Sequence, residues 1–367
     1  MKVLKKLPFH VLSGMDRLCA KLPKVGKFRP LRGNFSALER LDQQGLPGEV
    51  LLRYQAPGPC PSGSMTERAG MQQNNHQPWP VFWVRSDAAR LVGNMHLYRD
   101  EHDQWCSEGV FHQHQVRRHL REDRMFAQII VPRPTILAGA WTSIASNWGT
   151  GNNYYHWMLD CLTRLKVRDA LPESTRILLP RATRGFIDET LEMLGLTGQA
   201  ERPSACSVQP ERYYFCAPTA MTGVWNPVGY DWLREKFAPF CCPAASGKAI
   251  FLTRRGGVTW RLPPNLPEIE EVFARHGFTI VDCGVIPVKE QMRLASMAPA
   301  IAGLHGAAMT NLLWAHPGIP VLEIFMPSFL NACYEQIAFQ GGLKYSYQII
   351  DTEANSIESL AAWARNV

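Results

Sequence analysis

The 367-residue chain lacks the signatures of several common functional classes. It has no G-x-G-x-x-G and no Walker-type loop, which argues against a standard dinucleotide oxidoreductase. Its ten cysteines include no C-x-x-C, and only Cys241 and Cys242 are adjacent, so a zinc framework is not supported. Scattered thiols of this kind read as small hydrophobes of a large reduced domain. No apolar run reaches the roughly eighteen residues of a spanning helix. Lys5, Lys6, His10 and Asp16 interrupt any signal-like apolar core, so the expected location is cytoplasmic. Charge of one sign is scarce except at one end. The net charge is +7, yet residues 1–33 hold nine Lys or Arg against the single acid Asp16, leaving the other residues at −1. This excludes a uniformly basic surface, and no nucleic-acid partner is expected.

What is present fits a folded protein: 46% hydrophobic and 10% aromatic residues, with a length that favours two domains over one. Residues 1–33 form a basic arm. Leu4, Leu7, Val11, Leu12, Met15 and Leu18 fall at near-helical spacing between lysines, which fits either a helix on an anionic membrane surface or a solvated terminus. A loop-rich insertion is expected near 56–80, from its Pro, Gly, Ser, Asn and Gln content. Short strands are expected at Val81–Val84, Arg90–Val92 and Ile129–Val131. His112, His114 and His119 lie among Arg117, Arg118 and Arg121, which would repel a cation; a polar surface is favoured over a metal site.

Asn152–Lys166 reads as a helix capped by Asn152 or Asn153. Met158, Cys161, Leu162 and Leu165 make its core stripe, which puts His156, Asp160 and Thr163 on the opposite side. A strand at Arg176–Leu179 and a helix at 186–194, closed by Gly195, follow; Trp225–Phe240 is helical in its second half. The breaker-rich residues 241–248 read as a linker. Beyond them the alternation is regular. Strands are expected at Ala249–Thr253, Phe278–Asp282, Ala300–Leu304 and Val321–Phe325, and helices after Asn265, at Val288–Met297 and at Ala307–Trp314. This predicts a parallel, doubly wound sheet. The expected divisions are thus 1–33, 34–240, 249–335, and a C-terminal tail 336–367 with a helix near Ile357–Ala364.

In such a sheet, ligands bind beyond the carboxyl ends of the strands. The first strand ends at Arg254-Arg255, the third at His305-Gly306 before a helix, and the fourth carries Glu323. A helix N-terminus and guanidinium forks suit a pyrophosphate, and Gly306 would let a ligand approach the backbone. The arginines read equally as surface charges, and His-Gly as a turn. Glu323 interrupts an apolar run and needs a partner: two ribose hydroxyls, or an internal bond to His305 or Asn311. His156 and Asp160 are i, i+4 neighbours and form a candidate acid/base pair, the carboxylate holding the imidazole in one tautomer; a solvent-facing polar pair is the duller reading.

Two segments carry a resemblance. Asn-Tyr-Tyr-His-Trp-Met-Leu-Asp (153–160) and Leu-His-Gly-Ala-Ala-Met-Thr-Asn-Leu-Leu-Trp (304–314), the latter followed by Pro-Gly-Ile-Pro-Val-Leu-Glu-Ile (317–324), resemble glycosyltransferase family 61. Between them Thr-Arg-Arg, Arg261, Asn265, the helix Glu268–Arg275, Gly277-Phe278 and Glu290-Gln291 keep the family's order. The likeness covers residues 140–330. It implies an inverting transferase of the GT-B type, with two Rossmann-like domains facing a cleft. The nucleotide-sugar donor would commonly be a UDP-sugar. Family members decorate proteins and plant polysaccharides, and bacterial ones act in polysaccharide biosynthesis. Carried over by motif, His156 and Asp160 are catalytic. Arg254, Arg255, Gln291, His305, Gly306, Asn311 and Glu323 bind the nucleotide sugar. Two departures stand out: Ala308 and Met309 replace the family's usual Gly and Leu, which would narrow the pocket, and Leu266 replaces an acid.

The resemblance makes residues 34–240 the acceptor side and 249–335 the donor side. The expected activity is sugar transfer to a hydroxyl of a glycan or lipid-linked acceptor, as in capsular polysaccharide assembly, with the arm at the inner face of the plasma membrane. No cofactor or metal is expected, since the nucleotide sugar is a substrate and the chain has no D-x-D triplet. Two rival expectations are a non-catalytic membrane-associated member of an assembly complex and a nucleotide-sugar epimerase.

Overall fold

The computed structural model describes residues 34–52, 64, 80–102, 104–109, 134–146, 149, 153–181, 185–205, 207–219, 227–255, 261–350 and 354–367. The basic arm, His112, His114, His119, the strand expected at Ile129–Val131 and nearly all of the 56–80 insertion lie outside these residues. The described residues group into two compact units, one from 34–52, 80–181 and 196–219, the other from 185–195 and 227–367.

The first unit is a ten-stranded sheet. Its strands are β1 (Asn34–Phe35), β2 (Gly48–Leu52), β3 (Val81–Ser86), β4 (Arg90–Val92), β5 (Leu97–Arg99), β6 (Trp105–Cys106), β7 (Thr135–Ser143), β8 (Arg176–Leu178), β9 (Ala200–Glu201) and β10 (Ser207–Cys216). The main path runs β1-β6-β5-β4-β10-β7-β8-β9, with β3 also on β10 and β2 on β3. β10, β7, β8 and β9 pair in parallel, whereas β3 and β4 meet β10 antiparallel and β4–β5 is an antiparallel hairpin. This corrects the expectation of a second Rossmann-like domain: antiparallel pairs separate the parallel block β10-β7-β8-β9 from the short parallel pair β1–β6. The reason is connection length, because the four residues between β4 and β5 can join only antiparallel neighbours. Phe82, Tyr98, Trp141, Tyr213 and Phe215 fill the core, with Tyr98 edge-on to Tyr213 at 5.2 Å.

The second unit is wholly parallel. Its strands are β11 (Ile250–Thr253), β12 (Thr279–Asp282), β13 (Ile301–Leu304), β14 (Pro320–Phe325) and β15 (Lys344–Ile349), in the order β12-β11-β13-β14-β15. The helices Leu266–Arg275 and Val288–Met297 stand where the periodicity puts them. Asn265 occupies the first N-cap, but its side chain makes no cap bond; its backbone carbonyl does the work. The second helix is capped by Glu189, whose carboxylate accepts from the Val288 and Lys289 amides at 2.8 Å each. Residues 307–314 are a 3₁₀ helix rather than an α-helix.

Two boundaries differ from expectation. Residues 336–367 are no separate tail: they supply β15 and the helix Ala354–Arg365, whose Leu360 and Ala364 enter the core with Phe251 and Phe273. The helix Pro227–Phe237 belongs to this unit, not to the one before 241–248. Arg234 donates to the carbonyls of Leu313 and Ala315, and Phe237 meets Trp314 edge-on at 5.5 Å. Gly303 in β13 has no room for a side chain: a Cβ would lie 2.8 Å from both Leu252 Cβ and Met309 Sδ. Gly303→Ala is therefore expected to destabilise the protein by about 1–3 kcal/mol through overpacking, read from a denaturant titration.

Candidate functional site

The strand order of the second unit reverses direction between β11 and β13, and the crevice outside the carboxyl ends at that point is where such sheets bind ligands. Arg254 follows β11 and His305-Gly306 follow β13, so three of the expected site residues flank this crevice. Arg254 Nη1 donates to the His305 carbonyl at 3.0 Å. A Cβ on Gly306 would lie 3.2 Å from the same nitrogen, so the glycine makes room for the guanidinium rather than for a ligand. Burial, and then the charge of Arg261, hold Arg254 below the usual guanidinium range. No carboxylate among the described residues forms an ion pair with Arg254. The Arg261 guanidinium lies 3.6 Å above the Phe329 ring and is likewise lowered by burial. Two partly desolvated cations close to one another make a place for an anion.

His305 and Glu323 are brought together. His305 Nδ1 lies 2.5 Å from Glu323 Oε1, and the Tyr345 hydroxyl donates to Oε2 at 2.5 Å. Glu323 is 0% exposed. Burial pushes its carboxyl up, while the bonds from His305 and Tyr345 pull the other way. Of the partners open to Glu323, the internal bond to His305 is the one formed, and capture of ribose hydroxyls is corrected: both oxygens are already engaged away from solvent. The His305 ring stacks on Phe325 at 4.8 Å and lines a recess with Arg261, Leu304, Ile324, Met326 and Phe329.

The remaining expected residues are placed as follows. Arg255 turns outward and pairs with Glu270, Nη2 to Oε2 at 2.7 Å, as a surface ion pair. Gln291 and Asn311 form a buried brace with each other. Asn311 Nδ2 donates to Gln291 Oε1 at 3.0 Å, and Gln291 Nε2 donates to the carbonyls of Cys283 and Ile286 at 2.9 and 3.1 Å. Met309 is fully buried against Gly303 and does not line the recess.

In the first unit, Asn153 caps the helical segment, its Oδ1 accepting from the Tyr155 amide at 3.0 Å. The segment is not a regular α-helix: an α turn (Tyr154–His156) passes into a π turn (Trp157–Cys161) and a 3₁₀ turn (Leu162–Arg164). The π turn carries an extra residue, a feature concentrated at functional sites. It also corrects the expected outward face, since Asp160 and Thr163 are both 0% exposed. His156 keeps a partly exposed ring, and its Nδ1 lies 2.6 Å from Asp160 Oδ2. Burial pushes the Asp160 carboxyl up, and the charge of His156 and its hydrogen bond oppose this. A buried carboxylate on one ring nitrogen fixes the tautomer and leaves the other nitrogen as the one that exchanges a proton.

Tyr345, Tyr334 and Phe329 were missed by sequence reading. They reach the site from the last third of the chain, and no local pattern marks them. Among the described residues no group of three or more His, Cys, Asp or Glu is arranged to hold a metal ion, and no helix is long and apolar enough to cross a membrane. Residues 154–322 match the model of the Glycosyltransferase 61 family. No curated protein matches the chain.

Proposed function

From a chain whose residues 154–322 match the glycosyltransferase 61 family, and which is therefore a glycosyltransferase, we propose an inverting, metal-independent enzyme that uses a UDP-sugar. The observation that carries the donor side is Arg254 at the switch point, half-buried and without a carboxylate partner among the described residues. A diphosphate supplies the charge that such a guanidinium needs.

The reaction is a single displacement. An acceptor hydroxyl oxygen attacks the anomeric carbon, the bond from that carbon to the diphosphate oxygen breaks, and the diphosphate leaves with the electron pair. The hydroxyl proton passes to Nε2 of His156, whose Nδ1 is held by Asp160. Arg254 and Arg261, with His305, stabilise the charge on the leaving diphosphate. The acceptor is a glycan or a lipid-linked sugar of polysaccharide biosynthesis, and residues 1–33 bring the enzyme to an anionic membrane surface on the cytoplasmic side.

Calorimetric titration with UDP, UDP-sugars and GDP-sugars tests this reading. UDP and its sugars are expected to bind in the micromolar range, about −8 kcal/mol. Failure of every nucleotide to bind would overturn it. Mass spectrometry of products separates transfer from epimerisation, which converts the donor without an acceptor, and from a non-catalytic role, which converts nothing.

A further inference from the structure

Glu323 is a wholly buried carboxylate with two donors, one on each oxygen. One donor is the His305 ring, which belongs to the donor site. The other is the Tyr345 hydroxyl, from the outermost strand and beyond the matched residues 154–322. Tyr345 does not line the recess. Its ring packs against Phe325, and its hydroxyl reaches the site through Glu323.

A carboxylate whose Oε2 is tied to a hydroxyl presents only Oε1 to the imidazole. Stacking on Phe325 at 4.8 Å fixes the plane of that ring, and the carboxylate then fixes which edge faces inward. While Glu323 is ionised it accepts from Nδ1–H, so a proton gained or lost by the ring is exchanged at Nε2. If Glu323 were protonated, its O–H would donate to Nδ1 and the neutral ring would carry its proton on Nε2. Two groups decide between these states from opposite sides. Burial and the charge of Glu335 favour the protonated acid; His305 and Tyr345 favour the carboxylate. Cys333, Tyr334 and Arg254 are further titratable groups around the cluster.

We propose that Tyr345 is a positioning residue for His305: by donating to Glu323 it keeps this side chain an acceptor for Nδ1–H and directs the exchangeable nitrogen of His305 toward the bound diphosphate. The role of His305 toward a diphosphate rests on the function proposed above. The orientation of the ring does not.

Two measurements test the proposal on the full chain. The first uses unliganded protein labelled with ¹⁵N-histidine, with the His305 signal assigned by its loss in His305→Gln. The wild type is expected to show the Nδ1–H form at neutral pH, and Tyr345→Phe a shift toward the Nε2–H form. The second is UDP affinity across pH 5–9. Tyr345→Phe, which keeps the ring and removes only the hydroxyl, is expected to bind UDP about tenfold more weakly at pH 7, the equivalent of ~1.4 kcal/mol, with a changed pH profile. Ser346→Ala is the control. It removes a neighbouring hydroxyl bonded to the Val321 carbonyl, so it reproduces any general loosening of β15 and should leave both readouts unchanged. A Tyr345→Phe protein with the wild-type tautomer overturns the proposal, as does a Ser346→Ala protein showing the same changes. If the wild type binds no UDP, the function reading fails while the nitrogen spectrum still decides the role of Tyr345.

Discussion

His156→Ala is expected to lower kcat by about 10²–10⁴-fold, the usual contribution of a general base, with UDP affinity within a factor of two of wild type. The reasoning starts from proton balance. A neutral hydroxyl cannot displace the diphosphate and keep its proton, so a general base is needed to accept it. His156 is partly exposed, and its Nδ1 is locked at 2.6 Å by the buried Asp160, which leaves Nε2 as the acceptor. The π turn places this carboxylate one helical turn below the ring and inside the core. Asp160→Asn keeps the volume but alters the tautomer, and an intermediate loss is expected from it. The check is steady-state kinetics beside calorimetry with UDP. Near-normal transfer by His156→Ala would remove His156 as the base, and equal losses in kcat and UDP affinity would point to general disruption instead.

Arg254→Ala is expected to produce the second large effect: kcat/KM lower by about 10²–10³-fold, as when a preorganised donor to developing charge is removed, and UDP affinity weakened by about 1.5–3 kcal/mol. Its guanidinium already spends one nitrogen on the His305 carbonyl, which fixes the direction of the rest. Arg254→Lys should restore little, because one ammonium on a flexible stem lacks the rigid planar fork with which a guanidinium holds that carbonyl and a phosphate together. Arg255→Ala makes the contrast. That side chain is exposed and paired with Glu270, so its removal should leave UDP affinity unchanged. Equal effects of Arg254→Ala and Arg255→Ala would sink the assignment of the anion site to Arg254. Thermal melts of both variants separate lost binding from lost folding.

The two adjacent arginines show where sequence reading stops. Both follow β11, both have the same chemistry, and neither motif nor spacing tells them apart. The alternation of the chain out of a strand points one toward the crevice and the other toward Glu270 on a helix. Gln291 and Asn311 were each expected at the donor site through the family resemblance, and nothing in the sequence paired them. Their use as a brace depends on the Cys283 and Ile286 carbonyls, whose position follows from the path of a loop. β15 escaped notice because Lys-Tyr-Ser-Tyr-Gln-Ile is an edge strand, with no continuous apolar run to mark it.

By itself the sequence determined the parallel alternation of the second unit, a cap at Asn152 or Asn153, the i, i+4 pairing of His156 with Asp160, and the strand ends where Arg254 and His305 emerge. All of these are set within a few residues by helical period, strand period and capping chemistry. Only the tertiary structure decided that Glu323 serves His305 and not a ribose, that Tyr345 completes that pair, and that Asp160 faces the core. The hydroxyl of Tyr345 is 22 positions from Glu323, and Arg254 is 51 from the carbonyl it holds. Partners so far apart are chosen by the order in which strands pair and by the burial that results. No local pattern encodes that choice.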